Sequence, residues 1–428
     1  MKFLSPCAAA VLACIPWWAL AQEPAPQWLP PPDQVHATLQ AQPTVRAAAE
    51  RLQAAAATQR ALEVGSHEFQ ANSGLQRRNV TTEQRRYNEW ELGISRTIRL
   101  PGKARLDREI GSSTRSVAEL RLEDAEHQVA RRLLDAWMGW LRSSAVAEET
   151  AAQDQLLSRE RDALARRVTL GDAARREMDV LDAERATQAA QALMARDAAL
   201  AARPTLALGF PAITVPPALP ALPEPQELPD GPQAWQARIV RESAEIAIAN
   251  GETTRLFKVA ERTRAERTPD PTVGVRVLSD RGGTERVVGV VLSIPFGTDY
   301  RSARAATESA NAAAAEAEAA DVRRAIEQGA WLAVQAAQSK RAQWQSHQQA
   351  LAAQVAANTR TRRAWELGEA PLGEYLLSLR SLRQARLAET QARVDALQAA
   401  MLVRIDAHAM WHSEGEGHGE NSAHAVSP

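Results

Sequence analysis

Two strand-like runs that each lead directly into a long stretch without proline constrain this fold more than any other feature. The run ELGISRTIRL, Glu91 to Leu100, alternates apolar and polar residues, stops at Pro101-Gly102, and is followed by no further proline until Pro204. The run VVGVVLSIPF, Val287 to Phe296, precedes a second stretch of the same kind. Because the same unusual join occurs twice, we interpret it as one structural unit present in two copies.

The proline-free stretches predict helices much longer than a globular domain. Gly102 to Gly171 is 69 positions (171 − 102) and Gly297 to Gly368 is 71 (368 − 297). At 1.5 Å per residue each helix would measure roughly 100 Å. The composition favours helices, because alanine, glutamine, arginine and glutamate are abundant and aromatic residues make up only 4% of the chain. Helices of this length need partners along their apolar stripes, as in coiled coils.

The internal repeat extends from the strands to the ends of the long helices. Equivalent residues lie 196 or 197 positions apart (289 − 93, 368 − 171) and form the pairs Gly93 and Gly289, Ile98 and Ile294, Arg167 and Arg363, and Gly171 and Gly368. Each copy is predicted to contain a helix, two strands, the long helix, a turn and a second helix. Gln34 to Val64 and Gln233 to Arg267 are the two leading helices. After the Gly171 turn, a helix reaching about Ala202 and the helix at Gln233 would together run back along the first long helix.

The N-terminus has the pattern of a secretory signal peptide. Lys2 precedes the apolar stretch Phe3 to Leu20, which ends in a small-x-small site at Ala21. Cleavage there would remove Cys7 and Cys14, the two cysteines of the chain. A retained membrane anchor and lipidation at Cys14, which ends the sequence VLAC, remain alternatives.

These features divide the chain into six segments. In order they are a signal peptide at 1–21, a proline-rich segment at 22–33, the first repeat at 34–202, an extended proline-rich linker at 203–232, the second repeat at 233–412, and a disordered histidine-containing tail at 413–428. The fold class is mainly α with a small β part.

The four predicted strands suit a membrane-spanning barrel shared between chains. In the second copy they are Thr272 to Leu278 and Val287 to Phe296; in the first, the run around Trp90 to Ile98 has a weaker partner at His67 to Gln76. Each has one apolar face, and lengths of about ten residues match transmembrane strands. Since the smallest transmembrane barrels use about eight strands, one chain cannot close a barrel, and three chains would supply about twelve.

With these features the sequence resembles the TolC-type outer-membrane efflux channel family over about residues 34–412. The most specific motifs are SIPFG, beginning at Ser293, and ELGEAPLGEYLLSLRSL, beginning at Glu366; IRLPGKARLDRE is similar to the heavy-metal branch. The resemblance implies a homotrimer with duplicated coiled-coil hairpins forming an α-barrel across the periplasm and a transmembrane β-barrel in outer-membrane lipid. It also implies docking to a periplasmic membrane-fusion adaptor and an inner-membrane pump, the resistance-nodulation-division type being one candidate.

The resemblance also implies functional residues at the hairpin turns. Glu177 and Glu374, each six residues after a turn glycine, would be carboxylates at the pore entrance, whereas Leu377 stands where a second acidic residue is expected. Without the resemblance, both are interpreted as solvated helix residues. The adaptor-docking tips would comprise Arg167, Leu170, Gly171, Arg363, Leu367 and Gly368. Ordinary turn chemistry, with glycine after a helix and arginine near its C-terminus, is the alternative explanation.

Other functions find less support in the sequence. His408 and His412 are spaced i, i+4 and, with His418, are weak candidates for a metal site, against the simpler interpretation of a polar tail. No phosphate loop or nucleophile motif is present, so neither an enzyme nor a cofactor is expected. With Lys+Arg 51 against Asp+Glu 52, the charge balance does not favour nucleic acid. The alternative is a secreted periplasmic coiled-coil scaffold or adaptor without a pore, which Arg96, Arg99 and Arg276 in the strands mildly favour. The exported substrate, metal cation or other small molecule, stays open.

Overall fold

The computed structural model describes residues 28–411, in which eight α-helices and four strands repeat one order twice. The first copy comprises α1 (Pro32–Ala41), α2 (Pro43–Val64), β1 (Phe69–Val80), β2 (Arg85–Thr97), α3 (Pro101–Leu170) and α4 (Arg175–Gly209). The second comprises α5 (Pro232–Glu242), α6 (Ala244–Ala265), β3 (Thr272–Asp280), β4 (Glu285–Ser293), α7 (Asp299–Glu366) and α8 (Leu372–Asp406). The predicted signal peptide, the Cys14 site and the tail from residue 412 lie outside the described residues.

The two long helices are present as predicted and are covered by shorter ones. α3 has 70 residues and α7 has 68, so each measures roughly 100 Å. Proline occupies the first position of α3, where its missing N–H costs nothing. α2 and α4 pack along α3, while α6 and α8 pack along α7. In the described part of the chain no helix is both long enough and apolar enough to cross a membrane.

Each predicted leading helix is in fact two helices, which the sequence analysis missed. In the first copy the break lies at Gln42, which is extended and precedes Pro43. In the second copy it lies at Ser243, whose hydroxyl accepts the backbone N–H of Ile246 at 3.2 Å and so caps α6. A serine N-cap satisfies one of the free donors at a helix start, which makes a break possible without proline.

The predicted extended linker begins later than expected. α4 continues past Ala202 to Gly209 with Pro204 inside it. The proline removes one helical hydrogen bond, and the burial of Leu206, beyond it, in the central core outweighs this loss. The Arg203 guanidinium donates to the carbonyl of Val215 at 2.8 Å. The connection between α4 and α5 has neither helix nor strand and packs on the core at about mid-length of the rods.

The four strands form one antiparallel sheet in the order β1-β2-β3-β4. β2 pairs with β3, for example Leu92 with Val277, and this pairing joins the hairpins of the two copies. β1 extends past the predicted limit at Gln76 to Val80, whereas β4 ends at Ser293, before the predicted end. β1 and β4 are edges of the sheet, with no strand paired to their outer sides in the described chain.

The register separates an apolar face from a polar face. The apolar face carries side chains that are large and exposed, namely Phe69, Leu75, Trp90, Leu92, Ile94, Val273, Val275, Val288, Val290 and Leu292. Val290 is 77% exposed and Leu292 is 63% exposed. Strand residues alternate between faces, so the neighbours of these residues form the polar face. A face this apolar and this exposed requires a partner that the single chain does not provide.

An ion-pair cluster holds the sheet on the helices. Arg99, expected within a strand, lies beyond the end of β2 and donates to the carbonyls of Leu62 and Glu63, both at 2.7 Å, at the C-terminus of α2. Its guanidinium also lies 3.0 Å from the carboxylate of Asp107. The prediction that Arg99 belongs to the strand was therefore wrong, because β2 ends at Thr97. The Arg99 side chain instead bonds carbonyls that the end of α2 leaves free.

Lys103 and Asp270 connect the first copy to the second at the same level. Lys103 Nζ lies 2.9 Å from Asp270 Oδ1 and donates to the Thr268 carbonyl at 2.7 Å. The lysine side chain is only 3% exposed. Burial raises the pKa of Asp270, but the Lys103 ammonium and the Leu100 N–H outweigh it and hold this pKa below its ordinary value. The basic and acidic residues of IRLPGKARLDRE thus fasten the strand-to-helix join.

Candidate functional site

The turn between α3 and α4 is a Schellman motif built around Gly171. This glycine has φ +83°, a left-handed conformation that other residues adopt only with strain. Its N–H donates to Val168 at 3.1 Å, and the next N–H, of Asp172, donates to the Arg167 carbonyl at 2.8 Å. These bonds satisfy carbonyls that the helix end would otherwise leave free.

The turn between α7 and α8 repeats this geometry at Gly368. Its φ is +79°, its N–H donates to Trp365 at 3.0 Å, and the N–H of Glu369 donates to Ala364 at 2.8 Å. The leucines before the two glycines are exposed, Leu170 to 76% and Leu367 to 56%, and do not belong to the buried core. The ordinary turn chemistry considered for these glycines is therefore present, and docking at the tips stays a prediction.

The two turns share one small core at the end of the helical rods, which we call the tip core. Its buried members are Leu157, Leu164, Leu181, Trp365, Leu372, Tyr375, Leu376 and Leu379. The rings of Trp365 and Tyr375 stack with centroids 4.9 Å apart and an interplanar angle of 9°. Because α3 and α4 supply three of these leucines and the second copy supplies the rest, the hairpins of both repeats pack together at the tip.

A buried carboxylate strengthens this contact between the repeats. Glu160 on α3 is 5% exposed, and the Arg362 guanidinium of α7 lies 3.0 Å from it. Burial raises the pKa of the Tyr375 phenol, and the negative charge of Glu160 adds a smaller increase. The buried Tyr375 phenol is therefore even harder to ionise than an exposed tyrosine, which is itself neutral at pH 7. None of these residues was among the predicted site residues.

The predicted entrance residues Glu177 and Glu374 occupy equivalent positions. Both lie in the first turn of their helices, α4 and α8, where a negative charge interacts favourably with the helix dipole. Their N–H groups donate to Ala174 at 3.0 Å and Pro371 at 3.1 Å. Glu177 is half-buried and Glu374 is exposed. Within residues 28–411 neither forms an ion pair, so each carboxylate is available to a ligand or a neighbouring chain.

The predicted docking arginines, although equivalent in the repeat, have different surroundings. The Arg167 guanidinium lies over the ring of Trp365, 5.3 Å from its centroid. Arg363 is exposed and lies 3.3 Å from Glu366 on its own helix. Arg167 therefore takes part in the tip core, whereas Arg363 and its pair with Glu366 lie at the surface, where a partner could reach them.

A second charged link between the hairpins lies behind the tip and was missed from the sequence. Glu184 on α4 accepts a hydrogen bond from Arg380 on α8 at 2.6 Å and is also bonded by Arg383. Burial raises the pKa of Glu184, but the two guanidinium groups outweigh it and lower this pKa below its ordinary value. A signal existed in the repeat, since Glu184 and Arg380 are 196 positions apart (380 − 184) and carry opposite charges.

Of the predicted metal ligands only His408 lies within the described residues, so its predicted i, i+4 arrangement with His412 stays a prediction. α8 ends at Asp406, and His408 follows in a left-handed conformation with φ +51°. Its ring packs on His127, with centroids 5.2 Å apart. His412 and His418 lie outside the described residues. Within residues 28–411 no group of three or more His, Cys, Asp or Glu side chains is placed to hold a metal ion.

Several solved structures have the same architecture as this chain. Neither the family models nor the curated proteins gave a match to the sequence. The Campylobacter jejuni CmeC outer membrane channel is 14% identical with a TM-score of 0.70, covering 90% of this chain and 86% of that one. The outer membrane protein VceC of Vibrio cholerae is 17% identical with a TM-score of 0.68, covering 88% and 95%.

A third structure, CusC, whose description concerns folding and transmembrane channel formation, is 13% identical with a TM-score of 0.70 and covers 88% of this chain and 91% of that one. The TM-scores establish a common fold, and at identities this low the likeness shows the fold alone. The coverage shows that it extends over nearly the whole length of the proteins. This chain has the protomer fold of the TolC-type outer-membrane channels.

Proposed function

We propose that this chain is one protomer of a homotrimeric outer-membrane efflux channel, a passive duct that continues through the periplasm and docks to an adaptor and an inner-membrane pump. The observation that carries the proposal is the sheet at one end of the rods. Its apolar face is exposed, and its edges, β1 and β4, are unpaired in the described chain. An open edge is not tolerated in lipid, so neighbouring chains must continue the sheet.

The polarity of the two faces favours a barrel with lipid outside and water inside. The polar face carries ionic pairs such as Arg78 with Glu89 at 3.1 Å, as well as Arg276, 3.9 Å from Glu91. Arg276 is therefore no argument against a membrane location. Arg96 lies on the apolar face, but at its helix end, where its guanidinium donates to the His67 carbonyl at 2.9 Å and covers the Phe69 ring at 4.8 Å. Its charge is satisfied at an interface where arginine is tolerated.

The length of the rods supports a periplasmic tunnel. All four strands emerge at one end of α3 and α7, and both turns lie roughly 100 Å away at the other. The tip then faces an inner-membrane partner. Glu177 and Glu374 would ring the entrance in a trimer, and Leu170, Leu367 and Arg363 would offer exposed adaptor contacts. The tip helices would open and close the duct by switching between two packing arrangements, without an energy supply of their own. The cargo class stays open between metal cations and other small molecules.

The competing proposal is a periplasmic scaffold without a pore. Fractionation of cells that express the full chain separates the two. A channel is retained in outer membranes until detergent is added, and it conducts ions once reconstituted in a planar bilayer. A scaffold is released with the soluble periplasm, and that result would remove the channel function.

A further inference from the structure

Three arginines extend the apolar face of the sheet at its turn end. The register pairs Arg77 with Asn88 and Arg86 with Asn79 across the first hairpin. In the second hairpin Arg286 pairs with Ser279, which is opposite Trp90 on the neighbouring strand. Directly paired residues of antiparallel strands share a face. All three arginines therefore lie on the same side as Leu75 and Trp90.

These arginines have no partner in the described chain, unlike most charges on the opposite side. Arg77, Arg86 and Arg286 are exposed and form no ion pair or side-chain hydrogen bond within residues 28–411. On the polar face, by contrast, Arg78 lies 3.1 Å from both Glu89 and Asp280.

The acidic residues of the strands are confined to the polar face. They are Glu89, Glu91, Asp280 and Glu285. The apolar face carries no acidic strand residue, so its turn end has a net positive charge that nothing in the described chain neutralises. Arginine is the residue best suited to phosphate, because its planar guanidinium can donate two parallel hydrogen bonds.

The arginines lie where the apolar band ends. Arg286 is in the same row as Leu75 and Trp90, and Arg77 lies about 7 Å further along β1 at 3.4 Å per residue. Tryptophan beside arginine at the edge of an apolar band is typical of a membrane interface. At the opposite edge of the band Arg96 is already bonded to the His67 carbonyl, so the unsatisfied charge is confined to the turn end.

We propose that Arg77, Arg86 and Arg286 bind the phosphate groups of an anionic glycolipid in the outer leaflet of the membrane. The inference rests on the proposed function, because only a sheet that faces lipid, with its helices in the periplasm, places the turn end in that leaflet. Lipid binding here would anchor each protomer and fix the depth of the barrel.

The test compares two adjacent arginines on opposite faces. Arg86→Gln removes a charge from the apolar face, and Arg85→Gln removes one from the polar face at the same height. The full chain, purified in a neutral detergent, is titrated with diphosphorylated lipid A and with zwitterionic phosphatidylcholine, and bound lipid is counted by native mass spectrometry. We expect lipid A to bind about fivefold more weakly for each apolar-face arginine removed, as for basic residues near an anionic surface.

The triple variant Arg77→Gln, Arg86→Gln, Arg286→Gln should lose about a hundredfold in lipid A affinity, while its weak binding of phosphatidylcholine stays the same. The proposal is wrong if the triple variant binds lipid A as the unchanged chain does, or if Arg85→Gln weakens binding as much as Arg86→Gln. Bilayer conductance of the same samples shows whether the variants have folded. A chain that conducts but ignores lipid phosphate overturns only this inference, whereas a chain that never inserts overturns the proposed function.

Discussion

The guanidinium of Arg167, at the end of the first long helix, lies 5.3 Å from the centre of the Trp365 ring at the end of the second. This contact joins the two hairpin tips of one chain, and it extends the stack of Trp365 on Tyr375. The repeat-equivalent Arg363 makes no such contact and pairs with Glu366 instead. The two copies have therefore diverged at the tip, and in the proposed trimer the entrance would alternate between two kinds of hairpin end.

Arg167→Ala should loosen the tip. A cation–π contact contributes about 0.5 to 1 kcal/mol at a partly exposed site, so the tip should open about two- to fivefold more often. Limited proteolysis by thermolysin, followed as the rate of cleavage near the turns, measures this opening. Arg363→Ala is the matched control and should change the rate little. Equal rates for both variants would show that the contact with Trp365 does not hold the tips together.

Glu184→Gln should release the link behind the tip more strongly. The change leaves Arg383, which is 8% exposed, without its carboxylate, and a hydrogen bond to a charged group contributes about 2 kcal/mol. Backbone amides of α4 around residue 184 should then exchange hydrogen about thirtyfold faster, as measured by mass spectrometry. Asp197→Asn, an exposed position on the same helix, is the control. Unchanged exchange near residue 184 would contradict the link.

The same link predicts a dependence on pH. Because the pKa of Glu184 is lowered from its ordinary 4.5, the folded chain holds the ionised carboxylate more strongly than the unfolded chain. The stabilisation is thus fully present above the unfolded pKa and is lost as pH falls through the lower folded value. The protection of the amides around residue 184, taken relative to the intrinsic exchange rate at each pH, should therefore stay constant from pH 7 to about pH 5 and fall only below the ordinary carboxyl range. Protection already lost at pH 6 would assign the effect to another group.

Glu374→Ala should alter the interaction of the channel with cations. The carboxylate is exposed and has no ion pair in the described chain, so three copies around the entrance would attract multivalent cations. In planar bilayers, the concentration of a trivalent cation that halves the current from the tip side should rise severalfold. Glu316→Ala, an exposed position near the start of α7 and far from the tip, serves as control. Identical block in both variants would remove Glu374 from the entrance.

Asp270→Asn should weaken the join between sheet and helices. It leaves Lys103 buried without its carboxylate, at a cost of about 2 to 3 kcal/mol. Asp321→Asn is the control, since it breaks an ion pair with Arg324 in which both side chains are more than 70% exposed, and such pairs contribute little. The melting temperature of the detergent-purified protein should fall clearly for Asp270→Asn and stay within error for Asp321→Asn. Equal melting temperatures would refute a structural role for the join.

Local sequence signals predicted the long helices, the glycine turns and the apolar face of the sheet. Proline spacing bounds the α3 rod, a left-handed turn favours glycine as at Gly171, and alternation reveals a strand face. These signals act within a few residues of one another. The break at Ser243 escaped because a serine cap is a weaker signal than proline, and the extension of α4 past Pro204 escaped because burial of Leu206 outweighs one lost hydrogen bond.

Most contacts between helices could not be predicted in this way. The equivalence of Glu184 and Arg380 in the repeat (380 − 184 = 196) and their opposite charges indicate that they could pair, but whether they meet depends on how the two hairpins pack against each other. Arg99 looked like a strand residue because the alternation continues through it, yet its side chain caps α2. Such roles follow from packing, and one sequence carries no direct record of packing.

The number of chains that complete the sheet tests the central claim most directly. The full-length protein should be extracted from membranes with a mild detergent and its mass determined by native mass spectrometry, with β content followed by circular dichroism. A particle of three chains that keeps its β signal and conducts after reconstitution is the result expected from a four-stranded sheet with two unpaired edges. A water-soluble monomer with the same fold, whose β1 and β4 edges need no neighbour, would contradict it.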